Sequence, residues 1–227
     1  MIARSARKGH IRTKRRARDD DRRWTGQLWK RNRIEGTAFM ALTALDPNVA
    51  LIVVDLQKGI AGLPTVHPMG EVVKRAAALA DAFRRRGRPV VLVNVAGGAP
   101  GRTEQPPRAR GPLPDGWTDF VPELDRQPHD HVVTKRTWGA FTGTDLFDYL
   151  TSRGVTQVVV AGVATSFGVE STARQAHECG FNVVLVTDAM SDLSGEAHDN
   201  SVKRIFPRLG EIGPAADVIA LLETAPA

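Results

Sequence analysis

The chain has 227 residues, of which 42% are apolar and 25% are charged, a composition that suits one globular domain with a full core. Its single cysteine, Cys179, excludes an intramolecular disulfide and a thiolate metal cluster, and it favours a reducing, cytoplasmic setting. No apolar run approaches the roughly 20 residues that a membrane-spanning helix needs, so we expect no membrane association.

The net charge of +6 is concentrated near the N-terminus. Residues 1–39 contain 13 Lys and Arg against four acids, whereas residues 40–227 carry a net charge of −3. We expect Met40 to be the native start and residues 1–39 to be a basic extension, disordered or non-native, because the apolar periodicity begins only after Met40. A basic arm that binds nucleic acid through phosphate neutralisation is the disfavoured alternative.

From Val49 onward, short β-branched runs alternate with longer amphipathic ones, a pattern typical of βαβ units. The predicted strands are Ala50–Asp55, Pro89–Val95, His131–Thr134, Gln157–Ala161 and Asn182–Thr187, with a short last strand left open near the C-terminus. The predicted helices are Glu71–Arg86, Thr144–Arg153, Gly168–Glu178, Ser194–Phe206 and Ala215–Leu222. The fold class is therefore α/β, a three-layer α/β/α single domain (40–227) with a doubly wound, mainly parallel sheet.

Three polar or irregular features follow strands of this predicted sheet. Asp55 ends the first strand, Lys135 lies just past the third, and Val163–Gly168 follows the fourth. Ligands of doubly wound sheets bind outside the carboxyl ends of the strands, so we expect these features to meet in one crevice.

Three segments, in order and at suitable distances, resemble the motif blocks of the isochorismatase-like hydrolase superfamily over residues 47–210. The segments are Val53–Gln57, Lys135–Leu146 and Gly162–Ala173. In the cysteine amidohydrolases of that superfamily, an aspartate, a lysine and a cysteine form the catalytic triad. The resemblance places Asp55 and Lys135 at the first two positions and Gly168 at the third, where the nucleophilic thiol is missing.

The resemblance also implies a cis peptide bond between Val163 and Ala164. That bond would direct the backbone N–H groups of Ala164 and Gly168 into the crevice as oxyanion donors. Cys179 cannot replace the missing thiol, since it lies about 16 Å further along the helix, and we expect it to be a packing residue. A serine nucleophile, Ser166 or Ser171, is disfavoured because a hydroxyl needs a base poised to activate it.

In carrying glycine at this position, the chain resembles the true isochorismatases, which hydrolyse a vinyl ether without a covalent intermediate. The resemblance then implies that Asp55 is a general acid and that Lys135 holds and orients it. Lys135 would lower the pKa of Asp55, whereas a general acid near pH 7 needs a raised pKa. The sequence leaves open whether burial outweighs the lysine.

The remaining candidates are substrate-binding residues of the same crevice. They are Gln57, which strand periodicity places on the same side as Asp55, the aromatic residues Trp138, Phe141 and Phe167, and Arg102 in a long loop rich in proline and glycine. No cofactor is expected, and no metal, because the Asp-x-His metal motif that the nicotinamidase branch of the superfamily carries does not occur in the sequence, although His129 and His131 form a His-x-His pair.

Together these observations predict a hydrolase that acts on a small molecule by general acid catalysis from Asp55 without a covalent cysteine. The alternative is a catalytically inactive domain that binds a small acid or a protein partner. The resemblance further implies a homo-oligomer, a dimer or a tetramer.

Overall fold

The computed structural model describes residues 42–104 and 112–224. The expectations for residues 1–39 therefore lie outside the described residues.

Six parallel strands form one sheet in the order β3-β2-β1-β4-β5-β6. The strands are β1 Val49–Val54, β2 Val90–Val95, β3 His131–Lys135, β4 Gln157–Val163, β5 Asn182–Ser191 and β6 Glu211–Gly213. The predicted α/β class and the doubly wound parallel sheet are confirmed, and the short strand left open near the C-terminus is β6. The order of the strands reverses between β1 and β4, which is where such sheets bind ligands.

Helices cover both faces of the sheet. They are α1 Lys58–Ala61, α2 Met69–Arg85, α3 Leu146–Ser152, α4 Glu170–Glu178, α5 Gly195–Asn200 and α6 Ala215–Thr224. The apolar stripe of α2 and the buried side of α6 pack on one face of the sheet. Buried residues of α3 and α4 pack on the other face. The strands between the two layers are almost wholly apolar because both of their faces are covered.

Two predicted helices are less regular than their periodicity suggests. A π-helical turn, Thr165–Val169, precedes α4. Another π-helical turn, Ser201–Ile205, follows α5 and leads into a single 3₁₀ turn at Phe206–Arg208. Pro207 has no N–H and cannot continue an α-helix, which accounts for the break at the latter turn. Isolated π turns frequently occur at functional sites, and the first of them lies beside β4.

Gly162 allows β4 to approach β1 closely. Its φ is +114°, and a Cβ at this position would collide with the backbone of Val54. The pairing of β4 with β5 also shifts register between Val160 and Gly162. The last residues of β4 are therefore redirected just before the turn that follows the strand.

Within residues 42–104 and 112–224, no helix combines the length and the apolar character needed to cross a membrane.

Candidate active site

The three predicted features meet at the carboxyl edge of the sheet. Strands β3 and β1 are separated by β2, a distance of about 10 Å that a lysine and an aspartate side chain together can span. Lys135 Nζ donates hydrogen bonds to Asp55 Oδ2 and to the carbonyl of Trp138, both at 2.8 Å. Both charged side chains are buried, Lys135 at 1% and Asp55 at 5% exposure.

Asp55 leaves the strand in a left-handed conformation with φ +54°. Among residues other than glycine, Asp and Asn tolerate this region best. Its amide still donates to the carbonyl of Val93, so the residue stays attached to the sheet. Its Oδ1 atom is buried and has no hydrogen-bond partner among the described residues. One carboxyl oxygen is thus bonded to Lys135, while the other is buried without a hydrogen-bond partner among the described residues.

Burial raises the pKa of Asp55 to about 6, although the charge of Lys135 and its hydrogen bond act in the opposite direction. Desolvation disfavours the charged carboxylate, and here its effect exceeds the attraction of the ammonium group. The question left open by the sequence is therefore resolved in favour of burial. A carboxyl group with a pKa of about 6 is roughly one-tenth protonated at pH 7, far more than an ordinary aspartate, and can donate a proton.

The raised pKa predicts a specific dependence of stability on pH. Between the ordinary value of 3.8 and about 6, the folded protein holds more protons at Asp55 than the unfolded chain. The contribution of Asp55 to the free energy of unfolding therefore falls as pH rises through this window. We expect the difference in unfolding free energy between the parent and Asp55→Asn to decrease by about 2 kcal/mol from pH 4 to pH 7, measured by urea denaturation. A constant difference would contradict the raised pKa.

Gly168 lies directly against this carboxyl group. A Cβ atom at position 168 would be 3.1 Å from Asp55 Oδ2 and 3.0 Å from the side chain of Val54. The side-chain position at which the resemblance expects a thiol therefore points at the Asp55–Lys135 pair. The sequence prediction that Asp55, Lys135 and Gly168 converge is thus matched by the geometry.

The turn between β4 and α4, which contains Gly168, lies beside the Asp55 carboxyl group. The Val163–Ala164 peptide bond is cis. The N–H groups of Ala164 and Gly168 make no hydrogen bond to another element of the described chain. The carbonyl of Gly168 accepts from the hydroxyl of Thr172 at 2.6 Å, which anchors the end of the turn.

Two buried residues that the sequence analysis did not identify also hold this turn. Asp192 Oδ2 accepts the N–H of Ser166 at 2.6 Å. Thr165 Oγ1 lies 2.9 Å from His198 Nδ1, and burial lowers the pKa of this histidine. Asp192 directly follows β5, so the strand-end rule that selected Asp55 also applies to it.

Two of the predicted substrate-binding residues lie side by side. Trp138 and Phe167 form an edge-to-face pair with ring centroids 4.9 Å apart. Their exposures of 59% and 42% are high for such large apolar side chains. Trp138 is also joined to Lys135 through its carbonyl, and Phe167 precedes Gly168. The pair therefore lies next to Lys135 and Gly168 along the chain and is open to solvent.

The prediction for Gln57 as a pocket-lining residue is wrong. Its amide donates to the carbonyls of Val95 and Trp117 and accepts the N–H of Val95, so all of its bonding is directed at the backbone. The left-handed φ of Asp55 interrupts the strand, and the period of two no longer applies beyond it. Gln57 instead joins the ends of β1 and β2 to the loop at Trp117.

Phe141 and Arg102 make no hydrogen bond or ion pair to Asp55 or Lys135 among the described residues. The prediction for Phe141 is wrong, because its backbone N–H bonds to Gln175, two turns of α4 beyond Gly168, and its ring packs near Phe181. It lines a shallow surface pocket of about 240 Å³ beside α4. Arg102 is exposed in the loop that precedes the undescribed residues 105–111.

The expectation that Cys179 is a packing residue is also wrong. It is exposed at the end of α4, because the helix turns its C-terminal residues to solvent.

His131 stacks on Tyr149 and contacts Asp145. No group of three or more metal-ligating side chains occurs within the part of the chain that the structure describes.

Comparisons with known proteins identify the same family that the three sequence segments resemble. The model of the isochorismatase domain matches residues 49–217, and the chain therefore belongs to the isochorismatase family of hydrolases. It is 44% identical over 168 residues to YwoC of Bacillus subtilis strain 168, an uncharacterized family member, covering 71% of this chain and 87% of that protein. It is 43% identical to the uncharacterized member YecD of Escherichia coli O157:H7 over 181 residues, covering 76% and 95%.

A solved structure of an isochorismatase family protein from Burkholderia thailandensis is 47% identical to this chain. It superimposes with a TM-score of 0.77, covering 81% of this chain and all of the other. The recognition of the family from three sequence segments is confirmed.

Proposed function

We propose that this protein hydrolyses a small molecule by general acid catalysis from Asp55, without a covalent cysteine intermediate. The observation that supports the proposal most is the Asp55 carboxyl group, with its raised pKa and unpartnered Oδ1, beside a position that carries no side chain. A carboxyl group of this kind is suited to give up a proton at a pH near its pKa.

A vinyl ether is the substrate class that such a site suits best. Asp55 transfers its proton to the terminal carbon of the double bond, and the electron pair of that bond forms the new C–H bond. The other carbon becomes an oxocarbenium ion. Water adds to it and loses a proton to the Asp55 carboxylate, and the resulting hemiketal separates into a ketone and an alcohol. One water molecule is consumed, and the acid is regenerated without any bond to the protein.

The remaining groups are assigned roles around this step. Lys135, bonded to Asp55 Oδ2, orients the carboxyl group and stabilises the carboxylate left after proton transfer. The N–H groups of Ala164 and Gly168 bind an oxygen of the substrate. The open aromatic pair Trp138 and Phe167 provides an apolar surface for the substrate at the mouth of the crevice.

Incubation with isochorismate, followed by measurement of pyruvate release, tests the proposal. We expect release to depend on the protein, and its rate to fall as pH rises above about 6 because the acid form of Asp55 is lost. A series of simpler vinyl ethers, assayed for ketone release, extends the test beyond this one compound. Absence of hydrolysis throughout the series would refute the vinyl-ether assignment.

Introducing a thiol at position 168 tests whether the same site can support amide hydrolysis. The nearest atoms to a Cβ at position 168 lie at 3.0–3.1 Å, so Gly168→Cys requires neighbours to move by only a few tenths of an ångström. We expect the variant to fold and to gain slow amidase activity on small aliphatic amides, since Asp55 can then serve as the base. The measurement uses ammonia release in a Cys179→Ser background, which removes the exposed thiol. A folded but inactive variant would show that the pocket has diverged beyond this residue.

A second candidate function is a catalytically inactive domain that binds a small acid or a protein partner. The exposure of Trp138 and Phe167 supports it, because large exposed aromatic residues are frequent at binding surfaces. Calorimetric binding of a small acid that is not consumed, together with no turnover in the assays above, would favour this candidate.

A further inference from the structure

Asp192 is a buried carboxylate that the proposed reaction does not use. It directly follows β5 and is 1% exposed. Its Oδ1 accepts the N–H groups of Leu193 and Ser194 at 2.8 and 3.2 Å, and its Oδ2 accepts the N–H of Ser166 at 2.6 Å. Within residues 42–104 and 112–224, no Lys or Arg bonds to it. Its charge is therefore stabilised by backbone donors.

One of these donors belongs to the turn that borders Asp55. Ser166 lies midway between Ala164 and Gly168, whose N–H groups are the ones assigned to the substrate. The turn is a single π-helical turn that is closed by bonds from the N–H groups of Phe167 and Val169 to the carbonyl of Ala164. The N–H of Ser166 takes no part in these bonds. The contact from Asp192 to Ser166 is a short charge-assisted bond to the middle of this segment.

We propose that Asp192 is a positioning residue, which acts through Ser166 to hold the 163–168 turn so that the N–H groups of Ala164 and Gly168 face the Asp55 carboxyl group. This inference rests on the proposed function. Asp192 touches none of the reacting atoms, and its effect is transmitted through the backbone of the turn.

The arrangement of donors around position 192 suits a carboxylate better than an amide. Three N–H groups point at its two oxygens, and both oxygens accept. An asparagine has one oxygen and one NH₂ group, so it must turn a donor toward either Ser166 or the pair Leu193 and Ser194. Each orientation places an NH₂ group against at least one of these N–H groups, which then loses its acceptor within the site.

The test compares Asp192→Asn with a matched control, Asp188→Asn. Asp188 lies on β5, the strand that Asp192 follows, and its side chain also accepts a backbone N–H, that of Ala215 at 2.7 Å. Unlike Asp192, it is paired with Arg75 of α2. Both variants lose a carboxylate that caps a backbone amide. For Asp192→Asn we expect kcat for vinyl-ether hydrolysis to fall by about 10²-fold while KM stays close to that of the parent. For Asp188→Asn we expect both constants to be unchanged.

A second readout does not need a substrate. In ¹H–¹⁵N spectra of the full chain, we expect the amide resonances of Ala164, Ser166 and Gly168 to shift, and their hydrogen exchange to accelerate, in Asp192→Asn but not in Asp188→Asn. If Asp192→Asn fails to fold, Asp192→Ser is measured in the same way, because its smaller side chain avoids a misdirected NH₂ group.

The outcomes separate this inference from the proposed function. Unchanged kcat in a folded Asp192 variant, or unchanged resonances at the turn, would overturn the positioning role. If the parent hydrolyses none of the vinyl ethers, the proposed reaction fails, and the amide spectra alone decide whether Asp192 holds the turn. A fall in kcat accompanied by an equal fall in the Asp188 control would assign the effect to general stability and overturn the inference.

Discussion

Asp55→Asn is expected to lower kcat by about 10²–10⁴-fold while the protein stays folded, because loss of a positioned general acid has an effect of that size. Asparagine has the same shape as aspartate and tolerates the left-handed conformation that Asp55 adopts at φ +54°. It cannot, however, transfer a proton to carbon. The rate of ketone release and the melting temperature are measured on the same preparation.

The chain offers a matched control for this substitution in Asp125. Asp125 is the other aspartate with a left-handed backbone among the described residues, at φ +44°, and it is exposed at the end of a 3₁₀ turn. Asp125→Asn should leave kcat unchanged. Equal activity of Asp55→Asn and Asp125→Asn would refute the role of Asp55 as the acid.

Lys135→Met should destabilise the protein by about 3–5 kcal/mol at pH 8, because it leaves the Asp55 carboxylate buried without its cationic partner. The loss should be smaller at pH 5. With the lysine absent, nothing opposes the effect of burial on the pKa of Asp55, so the carboxyl group is protonated and neutral at that pH. Urea denaturation at the two pH values measures the difference.

A second substitution, which removes the other charge of the pair, should recover part of the stability that Lys135→Met loses. Asp55→Asn combined with Lys135→Met removes both charges, so at pH 8 the double variant should be more stable than Lys135→Met alone. Lys58→Met is the control, since Lys58 pairs with Asp119 at 3.0 Å but both side chains are more than half exposed. Its cost should stay within about 1 kcal/mol. Equal losses for Lys135→Met and Lys58→Met would contradict the account of the buried pair.

These expectations share one physical cause, the desolvation of a single ion pair. Burial raises the pKa of Asp55 while the contact with Lys135 restrains the rise, so the carboxyl group can exchange its proton near neutral pH. The same burial makes removal of either charge costly. The residues that give the site its proposed chemistry therefore also reduce the tolerance of the core to substitution.

Much of the site could be predicted from local patterns. Asp55, Lys135 and Gly168 each follow or end a recognisable apolar strand, and the parallel topology brings strand ends to one edge of the sheet. The prediction for Gln57 failed because it assumed that the strand period continues. The left-handed conformation of Asp55 interrupts that period, and although aspartate tolerates this conformation, its presence in the sequence does not require it.

The sequence by itself determined the α/β class, the family, the strand ends that carry Asp55 and Lys135, and the absence of a thiol at position 168. Only the tertiary structure decided that burial outweighs Lys135 in setting the pKa of Asp55, and that the ring of Phe141 packs near Phe181. It also revealed Asp192 behind the turn. Strand and helix patterns arise from neighbours along the chain, whereas desolvation and long-range hydrogen bonds depend on atoms contributed by distant segments.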